Sequence, residues 1–154
     1  MEKEIADVYG FRVRVRVCGL WWKDEKILMA KHKSMKSDGF WSPPGGGIDF
    51  NQSISDTLKR EFMEETGLLV YPGMFQFGCE FIESPLHAIE LFYHIDHTDG
   101  TLKVGYDPEV QIIEDVKYLS IEEIKAIPKD NIHGIFHKYQ SKTEIEKLSG
   151  FYRI

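Results

Sequence analysis

Glu64 and Glu65 lie three and four residues after Glu61. That spacing places all three carboxylates on one face of a helix. Like charges on adjacent turns repel by a few tenths of a kcal/mol. Arg60 can pair with Glu64 at i,i+4, but one arginine does not neutralise three carboxylates. A hard divalent cation would. Magnesium and manganese favour carboxylate oxygen, and magnesium keeps several waters and takes substrate phosphates as further ligands. Just upstream stands Trp41-Ser42-Pro43-Pro44-Gly45-Gly46-Gly47, too rich in proline and glycine for a helix or strand interior. Its glycines let backbone N–H groups approach a ligand closely, and such loops cradle anions. Glycine loop, helix and carboxylates together describe a site for a metal-bridged phosphate compound. Each part also has a plain structural reading, a tight turn and a solvated acidic face.

The element that must position the glutamates is a helix over Ile54–Thr66. Ser53 supplies its N-cap, and Asp56 three residues on completes a capping-box-like start. Gly67 is the residue that turns the chain at the other end. At 100° per residue Ile54, Leu58 and Phe62 form one apolar stripe facing the core. Glu65 projects to within roughly 20° of Ile54 on an ideal wheel. A carboxylate beside the core needs a partner, because desolvating a lone charge is costly.

Residues 46–68 resemble the Nudix box, G-x5-E-x7-R-E-U-x-E-E-x-G-U, with U aliphatic. Seven of nine fixed positions match: Gly46, Arg60, Glu61, Glu64, Glu65, Gly67 and Leu68. Phe62 takes an aliphatic position, Gln52 replaces the first glutamate, and Asn51 stands where many members have glycine. The resemblance implies an α/β fold, a Nudix-type α/β/α sandwich with a mixed, largely antiparallel sheet. It implies hydrolysis of a nucleoside diphosphate linked to another moiety. Mg2+, or Mn2+, would sit on Glu61, Glu64 and Glu65, with backbone groups near Gly46 completing the shell. Glu61 aligns with the general base of many members, and Arg60 would hold the glutamates in place. The family glutamate at position 52 anchors that arginine. Glutamine keeps the shape and an acceptor oxygen but loses a charge.

The chain of 154 residues is read as one domain, 1–154, with 42% hydrophobic and 29% charged residues, as in soluble globular proteins. A net charge of −6 argues against a general nucleic-acid binder. Cys18 and Cys79 make neither a disulfide framework nor a zinc site and read as buried thiols in a reducing cytoplasm. No signal peptide and no apolar run of 18 residues is present, so no membrane is expected.

Phe11–Trp22 reads as a half-buried strand, with Arg12, Arg14 and Arg16 alternating against Val13, Val15 and Val17. The arginine row reads chiefly as a solvated face. Because Nudix enzymes place substrate groups near this strand, Arg14 and Arg16 are candidate substrate ligands. Lys23-Asp24-Glu25 is a hairpin tip before a strand Lys26–Lys31. His32–Gly39 is a polar loop, and Phe40–Ser42 a short strand in which Trp41 is core or a pocket wall. Trp21, Trp22, Trp41, Phe40 and Tyr106 are aromatic enough to stack on a base. Leu68–Glu83 and Ala88–Asp96 read as paired strands, and 97–108 as a loop. A strand over Glu114–Leu119 resembles the late family segment that supplies a further carboxylate, for which Glu109, Glu114 and Asp115 are candidates. Ile121–Ile127 is a helix stopped by Pro128, and Asn131 to about Ser149 a longer helix with a break near Gly134. His133 and His137 are spaced i,i+4 but nothing nearby completes a metal site, so they read as surface histidines. No nucleophile motif is present. The competing functional reading is a non-catalytic nucleotide or nucleotide-sugar sensor with a degraded box. The family often dimerises, which makes a homodimer one expectation. The nucleotide derivative is not legible.

Overall fold

A computed structural model describes residues 2–33, 38–105 and 113–154. Tyr106 and Glu109 lie outside the described residues. In chain order the elements are α1 (Glu2–Tyr9), β1 (Val13–Leu20), β2 (Trp22–Lys23), β3 (Lys26–His32), β4 (Phe40–Ser42), β5 (Gly45–Gly47) and α2 (Ile54–Thr66). Then come β6 (Leu69–Glu83), β7 (Leu86–Asp99), β8 (Ile113–Leu119), α3 (Ile121–Ala126), a 3-10 turn (Lys129–Asn131), α4 (Gly134–Lys138), α5 (Lys142–Glu146) and β9 (Gly150–Arg153). Among the described residues one sheet runs β5-β1-β7-β6-β9, and a second joins β2, β3 and β4, with β8 on β3. Strand β1 is parallel to β7 and β6 to β9, while the other pairs are antiparallel. No helix among the described residues is long and apolar enough to cross a membrane.

The central strands are covered on both faces, and successive side chains divide between the two cores. Val17 and Leu28 pack with Leu58 and Phe62 of α2. Cys18, Leu20, Ile27 and Met29 pack the other way, against Ile124, Ile135, Phe136 and Ile145 of the C-terminal helices. Phe62, fully buried, fits because Gly19 of β1 faces it: a Cβ on Gly19 would stand 2.5 Å from the Phe62 ring. That close approach explains an aromatic at an aliphatic position.

The hairpin tip forms at Asp24 and Glu25, both at positive φ (51° and 62°), the two-residue type that matches strand twist. Four expectations need correction. The expected first strand is shorter, because Phe11 sits at φ 58° and Trp22 begins β2. Its faces are also inverted at the start: Val13 and Val15 are 57% and 43% exposed, while Arg14 and Arg16 are half-buried. The single helix over Asn131–Ser149 is instead the end of the 3-10 turn followed by two short helices, α4 and α5, with β9 after them. His133 caps α4, its Nδ1 accepting from the Ile135 N–H at 3.3 Å. Ser141 caps α5, accepting from the Glu144 N–H at 3.1 Å, and Gly150 at φ 78° turns the chain into β9. Helix α1 was not read from the sequence, although Ile5 and Tyr9, four residues apart, are its buried residues.

Phe62→Leu, the residue type usual at that position, leaves space opposite Gly19 and should cost about 1 kcal/mol, against about 3–5 kcal/mol for Phe62→Ala. Urea unfolding monitored by circular dichroism measures both.

Candidate functional site

Helix α2 is fixed at both ends. Ser53 Oγ accepts from the Asp56 N–H at 3.0 Å, the Ser53 half of the expected capping box. Gly67 at φ 74° closes the C-terminus. Between these caps Leu58 and Phe62 enter the core, and Glu61 and Glu65 are carried in with them, 4% and 0% exposed. The Gly45 N–H lies 3.3 Å from Glu65 Oε2 and 3.5 Å from Oε1. Edge strand β5 is glycine for two steric reasons. A Cβ on Gly45 would lie 2.1 Å from the Val17 carbonyl oxygen, and one on Gly46 only 2.4 Å from Glu61 Oε1. The Glu61 carboxylate therefore fills the place where a side chain at position 46 would be.

Arg60 stands among the carboxylates, 3.2 Å from Glu61, 3.5 Å from Glu64 and 3.7 Å from Asp49. It also donates to Gln52 Oε1 at 3.1 Å, and the same oxygen accepts from Thr57 Oγ1 at 3.3 Å. The glutamine thus retains the anchoring contact through its neutral acceptor. Glu64 Oε2 is buried and accepts no hydrogen bond. Among the described residues no three His, Cys, Asp or Glu side chains are already gathered as a ready metal set. The chemistry of the donors nonetheless fits a hard divalent cation: Glu61, Glu64 and Glu65 are all oxygen donors on one face, and one of their buried oxygens, Glu64 Oε2, accepts no hydrogen bond and has only the longer Arg60 contact.

A cavity of about 720 Å³ opens beside β5, with Gly46 and Glu61 in its lining. Among the described residues six cationic side chains line it: Arg14, Arg16, Lys33, Lys129, Lys138 and Arg153. The lining carboxylates are Glu61, Glu90 and Asp130. In a chain of net charge −6 this concentration of positive charge suits an anionic ligand. Arg14 stacks over the Tyr9 ring at 3.9 Å, which brings α1 to the cavity.

Glu90 is the principal residue that sequence reading missed. It is 3% exposed, and Arg16 Nη1 donates to its Oε2 at 2.7 Å. Its Oε1 lies 2.7 Å from His133 Nε2. Burial alone would raise its pKa, but His133 and Arg16 together hold it at about 2. His133 is buried, which corrects its reading as a surface histidine. His32, buried in the lining, is pushed down to about 4 by burial and by Arg16, so it is neutral near pH 7. Burial pushes the Cys79 thiol up to about 12 and raises Cys18 as well, in keeping with inert core thiols.

Arg14, Arg16, Glu61, Gly46 and Phe40 do line the cavity. Glu114, a candidate substrate ligand, is not in that lining, and of the two readings of Trp41 the structure gives the core one. Trp41 packs against the C-terminal core cluster, and Glu114 is exposed, 3.7 Å from Lys31. Asp115 pairs with Lys117 at 3.5 Å. Trp21 and Trp22 pack against opposite core clusters.

The NUDIX domain model matches residues 10–139. The chain belongs to the Nudix family. This Nudix chain is 28% identical over 117 residues to an ADP-ribose pyrophosphatase of Methanocaldococcus jannaschii, a stretch covering 75% of this chain and 64% of the relative. It is 32% identical over 128 residues to an 8-oxo-dGTP diphosphatase of Buchnera aphidicola, covering 80% and 91% respectively. Among solved structures, a MutT protein from Methanosarcina mazei Go1 superposes with a TM-score of 0.67 at 20% identity, over 82% of this chain and 88% of that one. A MutT Nudix hydrolase from Burkholderia pseudomallei gives 0.64 at 22%, over 76% and 88%. These structures establish the likeness of fold.

Two outcomes follow from this Nudix site. Gly45→Ala should lower Tm much more than Gly46→Ala, because backbone opposes the first Cβ and only a movable carboxylate the second. Thermal unfolding compares them directly. The low pKa of Glu90 contributes stability that is present above the ordinary carboxylate value of 4.5 and lost as pH falls towards about 2. Urea titrations across that window should show the loss in the wild type and a smaller one in Glu90→Gln.

Proposed function

We propose that this chain is a metal-dependent hydrolase that cleaves the pyrophosphate linkage of a nucleoside diphosphate joined to another moiety. The observation that carries the reading is the junction of two features: the α2 carboxylates around Arg60, with Glu61 beneath Gly46, and the cation-lined cavity that begins there. Glu61, Glu64 and Glu65, with backbone groups near Gly46, would hold Mg2+ or Mn2+. The bound cation would neutralise phosphate charge and acidify the attacking water. Arg14 and Arg16 bind phosphate oxygens from the β1 side. Arg60, held by Gln52, keeps the carboxylates apart and oriented. Glu61 receives the proton of the attacking water on its carboxylate. Water adds to phosphorus, and the bond from that phosphorus to the bridging oxygen breaks. The names of the relatives make ADP-ribose and 8-oxo-dGTP the first compounds to try. We place the enzyme in the cytoplasm, in keeping with its buried free thiols, and leave a homodimer as part of the proposal.

One observation favours a sensor as second reading: among the described residues the carboxylates are not yet gathered as a metal set. Tight nucleotide binding with no product over hours in the presence of Mg2+ would support that reading.

A panel of ADP-ribose, 8-oxo-dGTP, nucleotide sugars and ordinary nucleoside triphosphates with Mg2+ should reveal turnover, read by chromatography of the products. Glu64→Gln should lower kcat about 100-fold or more, as loss of metal ligation does. Undiminished turnover in that variant would refute the metal assignment. Gln52→Glu restores the missing charge beside Arg60 and should lower the Mg2+ concentration for half-maximal rate. An unchanged metal titration would show position 52 to be inert.

A further inference from the structure

Glu90 and His133 place two buried polar groups in the cavity wall that hydrolysis at the α2 carboxylates does not use. Taking a carboxylate out of water is costly unless its hydrogen bonds are satisfied. Here each bond has a defined partner. His133 Nδ1 accepts from the Ile135 N–H, so the proton resides on Nε2, which donates to Glu90 Oε1 at 2.7 Å. With both ring nitrogens engaged His133 has no lone pair left to act as a base. The ring is also wedged edge-on between Phe92 and Phe136, with centroids 5.3 and 6.2 Å away. Its backbone N–H donates to the Trp41 carbonyl at 2.9 Å. The second Glu90 oxygen takes Arg16 Nη1 at 2.7 Å.

Arg16 is treated differently. Among the described residues Glu90 is the sole hydrogen-bond partner of its side chain, although a guanidinium carries a fork of further donors. Its side chain is 22% exposed and lines the cavity. Its register partners in the sheet are Glu90 on one side and Gly47 on the other, and Gly47 brings no carboxylate to it, leaving room instead for the Arg14 guanidinium, whose Nη2 would stand 2.8 Å from a Cβ at position 47. One end of the guanidinium is therefore fixed and the rest is open towards the cavity.

We propose that Glu90 and His133 are positioning residues that lock Arg16 as the ligand for the substrate's diphosphate, so that the C-terminal segment beginning at His133 sets binding affinity at β1. This rests on the reading of the cavity as a nucleoside-diphosphate site. The chemistry is that of a pre-oriented guanidinium meeting a planar array of phosphate oxygens. Holding the guanidinium before the ligand arrives reduces the ordering cost of binding.

The test is calorimetric binding of ADP to the full chain with EDTA present, which reads the proposal without turnover. A failure of the hydrolysis reading then appears separately, in the substrate panel. Glu90→Gln presents an amide donor to Arg16 or to His133 and should weaken ADP about 10-fold, as loss of a partner in a buried charge pair does. In any substrate that is turned over, it should raise KM while leaving kcat within about 2-fold. His133→Phe keeps the ring but loses the donor and should weaken ADP similarly, whereas His133→Gln still donates to Glu90 and should rescue binding. In an Arg16→Met background the Glu90→Gln effect should vanish, since the two act through one contact. If Glu90→Gln does not fold, as judged by circular dichroism, the two His133 variants make the same comparison. ADP binding unaffected by Glu90→Gln or His133→Phe, weakening that persists in Arg16→Met, equal weakening by His133→Phe and His133→Gln, or no ADP binding by the wild type would each overturn the proposal.

Discussion

Two carboxylates one turn apart, Glu61 and Glu65, are buried beneath an edge strand, and much of the chain is arranged to permit it. Burying an unpaired charge is among the costliest local choices a fold can make. The local answers are specific. Strand β5 is reduced to glycine so that its backbone approaches both carboxylates. Arg60 inserts its guanidinium between Glu61 and Glu64. Gln52, just before the helix and itself bonded by Thr57, holds that arginine. Leu58 and Phe62 anchor the opposite side of α2 in the core, and Gly19 gives Phe62 its place. The orientation of the carboxylate face is thus set by the core behind it.

The second constraint is the segregation of charge. The chain is acidic as a whole, yet its cavity collects arginines and lysines from β1, the segment after β3, and the C-terminal third. Among the described residues six cations line that cavity against three carboxylates, Glu61, Glu90 and Asp130. Glu90 is a buried acid set among those cations. It is held ionised by Arg16 and His133 and ties β1, β7 and the beginning of α4 into one unit.

Local signals made α2 legible almost residue by residue: the Ser53 cap, the Gly67 stop, the apolar stripe and the carboxylate spacing act within a few turns. The Asp24–Glu25 tip was legible for the same reason. Arg14 and Arg16 were legible as cavity-lining residues only through family likeness, because strand alternation cannot say which face a fold leaves open. Here a cavity takes the arginine face and Val13 and Val15 meet solvent. The C-terminal segment misled because α4 closes at its C-cap Tyr139, and α5 restarts behind the Ser141 cap and closes at its C-cap Lys147, breaks that apolar spacing alone would run through. Strand β9 exists by pairing with β6, far away in sequence. Glu90 left one overlooked signal: on β7 it falls between Ala88 and Phe92 at inward positions, all three buried, where an acid demands a partner. That partner, His133, is remote in sequence and could not be paired with it from spacing. Trp41 shows the converse, an aromatic beside a glycine turn that belongs to the core.

The claim on which the rest stands is that the α2 carboxylates hold a divalent cation. Electron paramagnetic resonance of free Mn2+, titrated with the protein in the presence of ADP, measures this directly. A saturable loss of the free-ion signal with wild type, abolished in the Glu61→Gln, Glu64→Gln double variant, is the predicted result. Equal Mn2+ binding by the wild type and the double variant, or none by either beyond that of ADP alone, would contradict it.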